Sequence, residues 1–169
     1  MWRFPGRHSL FHNRTPSLDA LDFSDRLRGV LSDAREEAAR LHHEHVGTEH
    51  LLLALLADSE RDAGGGATSP AGVVLDVLGV ERQKMRTVLE QTVLRGRTDS
   101  PDDLLSYTSR AKAVLELAMA EARMSRASTV DTQHLLLGLL REERGIAAQV
   151  LLDSGVTVKK TRAELAKLR

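Results

Sequence analysis

A ten-residue stretch occurs twice, and the spacing of its copies limits what this chain can become. Gly47-Thr48-Glu49-His50-Leu51-Leu52-Leu53-Ala54-Leu55-Leu56 returns as Asp131-Thr132-Gln133-His134-Leu135-Leu136-Leu137-Gly138-Leu139-Leu140, with His134 lying 84 residues beyond His50. The upstream segment keeps that offset, so Leu27, Val30, Leu31, Ala34 and Ala38 fall on Ala111, Val114, Leu115, Ala118 and Ala122. Self-similarity at one offset marks a duplication, and the fold must be one unit built twice.

The unit is helical. Thr48 and Thr132 precede the apolar runs and are predicted as N-caps, with Glu49 in the first turn, where the helix dipole favours negative charge. The runs are leucine on every side without β-branched neighbours, which predicts buried helices rather than buried strands. Upstream, Ser24 caps a helix over 25–41 whose apolar positions step by three and four. A loop from Asp58 to Ser69 holds Gly64-Gly65-Gly66. Ser69-Pro70 then starts a short helix ending at Gly79, and another spans 81–94 and stops at Gly96. The second copy predicts helices over 109–125, 133–142, 146–153 and 158–168. Gly155 matches Gly79 at an offset of 76, so the first copy carries about eight extra loop residues. The expected order is a repeat at 21–96, a linker at 97–106 and a repeat at 107–169. Residues 1–20 have no helical period and read as a disordered tail, although Trp2, Phe4 and Phe11 among Arg3, Arg7 and Arg14 also suit a docking peptide.

Charge and composition exclude several functions. With 24 basic and 24 acidic residues, no net field draws the chain to nucleic acid or an anionic membrane. The absence of cysteine removes disulfides and thiolate metal sites and suits the cytoplasm. No apolar run approaches the roughly 18 residues of a membrane span. His42, His43, His45 and His50 invite a metal reading, but a zincin helix needs His-Glu-x-x-His, and after His43-Glu44 the second histidine position is Gly47. Only His50 recurs, as His134, which reads as a core residue bonded to backbone. The triple-glycine loop has no P-loop ending, and no serine stands in a nucleophile elbow or beside a paired base. No cofactor, metal or catalytic residue is expected, and the chain reads as a non-enzyme.

Four motifs then carry a resemblance. Phe23-Ser24-Asp25-Arg26, the stretch from Gly47 to Leu53, Tyr107-Thr108-Ser109-Arg110-Ala111-Lys112 and the stretch from Gly145 to Leu151 resemble the double Clp-N repeat. This is the N-terminal domain of ClpC- and ClpA-type AAA+ unfoldases, closest to ClpC. No Walker A lysine accompanies it, and the chain looks like a free-standing N-domain. The resemblance implies an all-α, pseudo-twofold bundle of eight helices that recruits substrate or adaptor proteins to a Clp unfoldase or protease. Two other roles stay open: an accessory subunit stabilising the proteolytic core, and a binder of modified peptides or small molecules unrelated to proteolysis. The resemblance also implies one phosphoarginine site per repeat. By position, the first would use Ser24 for phosphate and Glu49 for guanidinium, and the second Thr108 and Gln133, where the family has Glu. Read without the resemblance, Ser24 and Thr108 are simply helix caps.

Because the apolar periods begin beyond the tail, a chain starting at Asp22 is expected to keep its helical circular dichroism and a cooperative melt. Loss of either would place Trp2, Phe4 or Phe11 in the core.

Overall fold

The computed structural model describes residues 22–61, 68–99 and 105–168, so the tail and the Gly64–Gly66 loop lie outside the described residues. Among these residues eight helices run in order: α1 (Asp25–Arg40), α2 (Thr48–Arg61), α3 (Pro70–Val77), α4 (Arg82–Thr92), α5 (Ser109–Met124), α6 (Thr132–Glu142), α7 (Ile146–Asp153) and α8 (Val158–Lys167). The all-α, two-by-four architecture is the expected one. Four two-residue strands accompany it: β1 (Asp22–Phe23), β2 (His45–Val46), β3 (Ser106–Tyr107) and β4 (Thr129–Val130). No alternating pattern in the sequence marks these strands.

The two leucine runs form the centre. Leu51 through Leu56 are fully buried in α2, and Leu135, Leu136, Leu139 and Leu140 are almost fully buried in α6. α1 lies on α2 and α5 on α6, through the stripes Leu27, Val30, Leu31, Ala34, Ala38 and Ala111, Val114, Leu115, Ala118, Ala122. α5 and α6 meet closely at Gly138, where a Cβ would sit 2.5 Å from the Val114 carbonyl oxygen.

The helix ends follow the same offsets. Ser24 Oγ accepts from Leu27 N at 3.0 Å and Thr108 Oγ1 from Ala111 N at 3.1 Å. Gly79 and Gly155 close α3 and α7 in the left-handed region at φ 74° and 78°. Glu37 pairs with Arg86 of α4 at 3.3 Å, and its counterpart Glu121 pairs with Arg162 of α8 at 2.6 Å. Each repeat thus fastens its last helix to its first through a corresponding carboxylate, and the first repeat adds a pair between Arg40 and Glu90 at 2.6 Å.

Two expectations about helix ends need correction. Gly96 does not stop α4, which ends at Thr92 with Val93 as its C-cap. Instead Gly96 N donates to Leu41 O at 2.8 Å, and a Cβ at 96 would collide with the His42 carbonyl. Nor are Thr48 and Thr132 the caps of their own helices. Each is the first helical residue, and its hydroxyl faces a helix of the other repeat. Thr48 Oγ1 accepts from Ala147 N of α7 at 3.4 Å, and Thr132 Oγ1 accepts from Ala71 N of α3 at 3.4 Å and lies 3.1 Å from Ser69 Oγ. The cap of α6 is Asp131, whose carboxylate accepts from Thr132 N.

Gly138→Ala should destabilise the domain despite the better helix propensity of alanine, because the new methyl group must push α5 and α6 apart. A loss of about 1–3 kcal/mol is expected in urea unfolding. An unchanged midpoint would show that the α5–α6 contact can shift freely.

Candidate functional site

The short strands decide which residues meet. β1 pairs in parallel with β4, Asp22 opposite Thr129 and Phe23 opposite Val130, while β2 pairs with β3, His45 opposite Ser106 and Val46 opposite Tyr107. Each pair takes one strand from each repeat. The ladders extend one bond further, Ser24 N to Val130 O and Thr108 N to Val46 O, both 2.9 Å. The start of α1 therefore abuts the start of α6, and the start of α5 abuts the start of α2.

This changes the pairing of the four candidate residues. Ser24 does not meet Glu49, and Thr108 does not meet Gln133. Thr108 and Glu49 instead line one hollow of about 380 Å³, together with Gly47, Thr48, Ser109, Arg110, Arg144, Gly145 and Ile146. Ser24 Oγ donates to Asp131 Oδ1 at 2.7 Å. Gln133 lines a separate hollow with Met124, His134, Leu137 and Arg162, and its buried Oε1 has no partner among the described residues.

The open hollow joins opposite chemistries. Glu49 is only 16% exposed, yet its carboxylate accepts no hydrogen bond among the described residues; His50 Nδ1, 3.9 Å away, is too far. The carboxylate folds back over Gly47, where any Cβ would collide with it. The first turns of α5 and α7 line the same hollow, and their leading N–H groups have no partner within their helices. Thr108 uses its oxygen as an acceptor for the cap, leaving its O–H free to donate. Arg110 is held by Glu142 at 3.1 Å, and the other oxygen of Glu142 accepts from Gly145 N at 2.5 Å. Arg144 makes no ion pair among the described residues; it follows Glu143, whose left-handed backbone (φ 61°) turns the chain at the end of α6. Arg144 was not singled out in the sequence, where an arginine in a charged turn carries no signal. The hollow brings together a carboxylate for a cation and helix starts, a hydroxyl and guanidinium groups for an anion.

Behind Glu49 lies a histidine pair. His43, Glu49 and His50 gather potential ligand atoms within 4.8 Å. The hydrogen bonds assign every ring nitrogen another role. Gly47 N donates to His50 Nδ1 at 2.8 Å, so the neutral His50 ring carries its proton on Nε2 and donates to His43 Nδ1 at 2.7 Å. His43 Nε2 then donates to Leu94 O at 2.7 Å. No lone pair faces the carboxylate, so this trio does not fit a metal. His134 has the same task, accepting from Asp131 N at 3.0 Å. Both recurring histidines are core residues closing the start of a helix.

Eight helices in two like halves, stitched so that their helix starts converge on a polar hollow, define an all-helical double-repeat domain. The model of the Clp repeat (R) N-terminal domain matches residues 22–153 and again 106–168, and the chain belongs to that family. The negative regulator of genetic competence ClpC/MecB of Bacillus subtilis is 41% identical over 146 residues, spanning 86% of this chain and 17% of the relative. The ATP-binding subunit ClpC of the Staphylococcus aureus ATP-dependent Clp protease is 38% identical over 144 residues, spanning 85% and 16%. The chain thus spans about a sixth of these relatives. The N-terminal domain of the caseinolytic protease associated chaperone ClpD from Arabidopsis thaliana superposes with a TM-score of 0.65 at 25% identity, over 86% of this chain and 94% of that one. The N-domain of ClpV from Vibrio cholerae shares the fold, with a TM-score of 0.70 at 16% identity over 93% and 94%. Among the described residues no helix is long and apolar enough to cross a membrane.

Burial lowers the His50 pKa from 6.5 to about 3, with the charges of His43 and Arg40 adding to the shift. Between these values the unfolded chain binds a proton that the folded chain refuses, so stability falls as pH drops below about 6.5. At about 1.4 kcal/mol per pH unit, His50 should cost about 2 kcal/mol by pH 5. Urea unfolding from pH 7 to 5 should show this slope, and His50→Gln should flatten it; an equal slope in the variant would contradict the assignment.

Proposed function

We propose that this domain recruits proteins to a Clp-type unfoldase or protease by capturing a side chain that carries a guanidinium and a phosphate together. Phosphoarginine is that side chain. The observation that carries the reading is the Glu49 carboxylate, without a hydrogen-bond partner among the described residues, lining one hollow with the start of α5. A carboxylate bonds a guanidinium through charge-assisted and often bidentate contacts. Helix-start amides, the Thr108 hydroxyl and Arg144 suit a phosphate only a few ångströms further on. Neither arginine nor phosphate alone uses both sets of groups. A family in which this domain occupies a small part of a much longer relative agrees with a recruiting role. No group in the hollow is arranged to break or make a covalent bond, so the role proposed is binding rather than catalysis.

Calorimetric titration with free phosphoarginine should show one site per chain, with arginine and inorganic phosphate each binding at least 10-fold more weakly. Glu49→Gln should weaken phosphoarginine by roughly 5- to 150-fold, the value of one charge-assisted bond of about 1–3 kcal/mol. Gly47→Ala should do the same by displacing the carboxylate without removing it. Affinity indifferent to both substitutions would overturn the reading and leave the hollow as a junction between helix caps.

A further inference from the structure

The junction is built twice, and its second copy has the opposite charges. At the 84-residue offset, Gly47, Glu49, Ser109 and Arg110 correspond to Asp131, Gln133, Asp25 and Arg26; at the 76-residue offset, Arg144 and Ile146 correspond to Thr68 and Pro70. The frame is kept. Ser24 caps α1 as Thr108 caps α5, and Arg26 pairs with Asp58 at 3.0 Å as Arg110 pairs with Glu142 at 3.1 Å. The chemistry suited to an anion is not kept. Asp25 and Asp131 add carboxylates, Thr68 stands where the free arginine was, and Pro70 has no N–H to offer. Gln133 brings no charge and is turned into the other hollow.

Asp131 completes the difference. Its Oδ1 accepts from the Ser24 hydroxyl at 2.7 Å and from Thr132 N at 2.8 Å. These are a capping hydroxyl and a helix-start amide, the same kinds of donor that the first copy leaves open. The Ser24 proton is held by Asp131, whereas the corresponding Thr108 proton has no acceptor among the described residues. Being part of the chain, the Asp131 carboxylate reaches these donors without the association entropy that a free ligand must lose.

We propose that Asp131 is a resident anion: in the second copy of the junction its carboxylate takes the place that a phosphate-bearing ligand takes in the first. The domain then holds one ligand-competent pocket and one self-filled copy. The inference rests on the reading of the Glu49 pocket given above. It also explains the position of Gln133, because a side chain at 131 leaves no room for residue 133 to fold back as Glu49 does over Gly47.

The test is the number of phosphoarginine molecules bound per 169-residue chain, counted by calorimetry and by phosphorus NMR. The wild type should bind one and Asp131→Gly/Gln133→Glu two. Adding Glu49→Gln to that variant should return the count to one, now in the second copy. If the glycine variant does not fold, Asp131→Ser/Gln133→Glu keeps a capping oxygen without the charge and should also bind two. A count that stays at one in a folded variant overturns the inference and leaves Asp131 as an N-cap. A wild type that binds none beside a variant that binds one overturns the Glu49 reading, and keeps of this inference only that the Asp131 carboxylate fills an anion site in the second copy. No binding by either overturns both.

Discussion

Two parallel pairings of two residues each hold the organisation of this domain together. Strands this short contribute little by themselves, since a few backbone bonds are worth about 1 kcal/mol apiece. Their importance is positional. By carrying the chain of one repeat beside that of the other, they fix where four helices begin, and a helix start is where unpaired donors and a positive dipole end are found. The hollow at Glu49 follows from this. It belongs to neither repeat and exists because Thr108 N bonds to Val46 O.

The stability behind the hollow comes from α2 and α6, whose leucines are buried on every side. Around them the domain satisfies its polar groups through recurring devices at the same two offsets. A histidine accepts the N–H before each central helix, a carboxylate clamps the last helix of each repeat, and a threonine hydroxyl reaches across to cap a helix of the other half. Glu49 departs from this pattern. Its half-buried carboxylate has no hydrogen-bond partner among the described residues, which leaves it available to a cation from outside the chain.

Much of the fold was legible because helix signals are local. The Ser24, Ser69 and Thr108 caps, the Pro70 start, the Gly79 and Gly155 stops and the leucine runs all lie within a turn or two of what they control. The candidate residues could be singled out in the sequence, but which of them meet could not. A duplication shows that Ser24 corresponds to Thr108 and Glu49 to Gln133; it does not say which half each residue faces. Only the strands say that, and two residues are too few for an alternating pattern to register. The same blindness misassigned Thr48 and Thr132, whose hydroxyls look like local caps and act across the repeat boundary. Gly96 failed for a related reason: a glycine demanded by a close backbone approach looks in sequence like one that ends a helix.

The reciprocal threonine caps have a consequence for assembly. Thr48 completes α7 while Thr132 completes α3, and the strand pairs exchange partners in the same way. Contacts of that form, in which one half gives to the other what it receives, are those of an isologous interface. Two identical single repeats meeting about a true twofold axis would satisfy every one of them. Fusing the halves into one chain is what allows their sequences to diverge, so that the same junction can be open at Glu49 and closed at Asp131. A symmetric pair of separate repeats would have to hold both junctions alike.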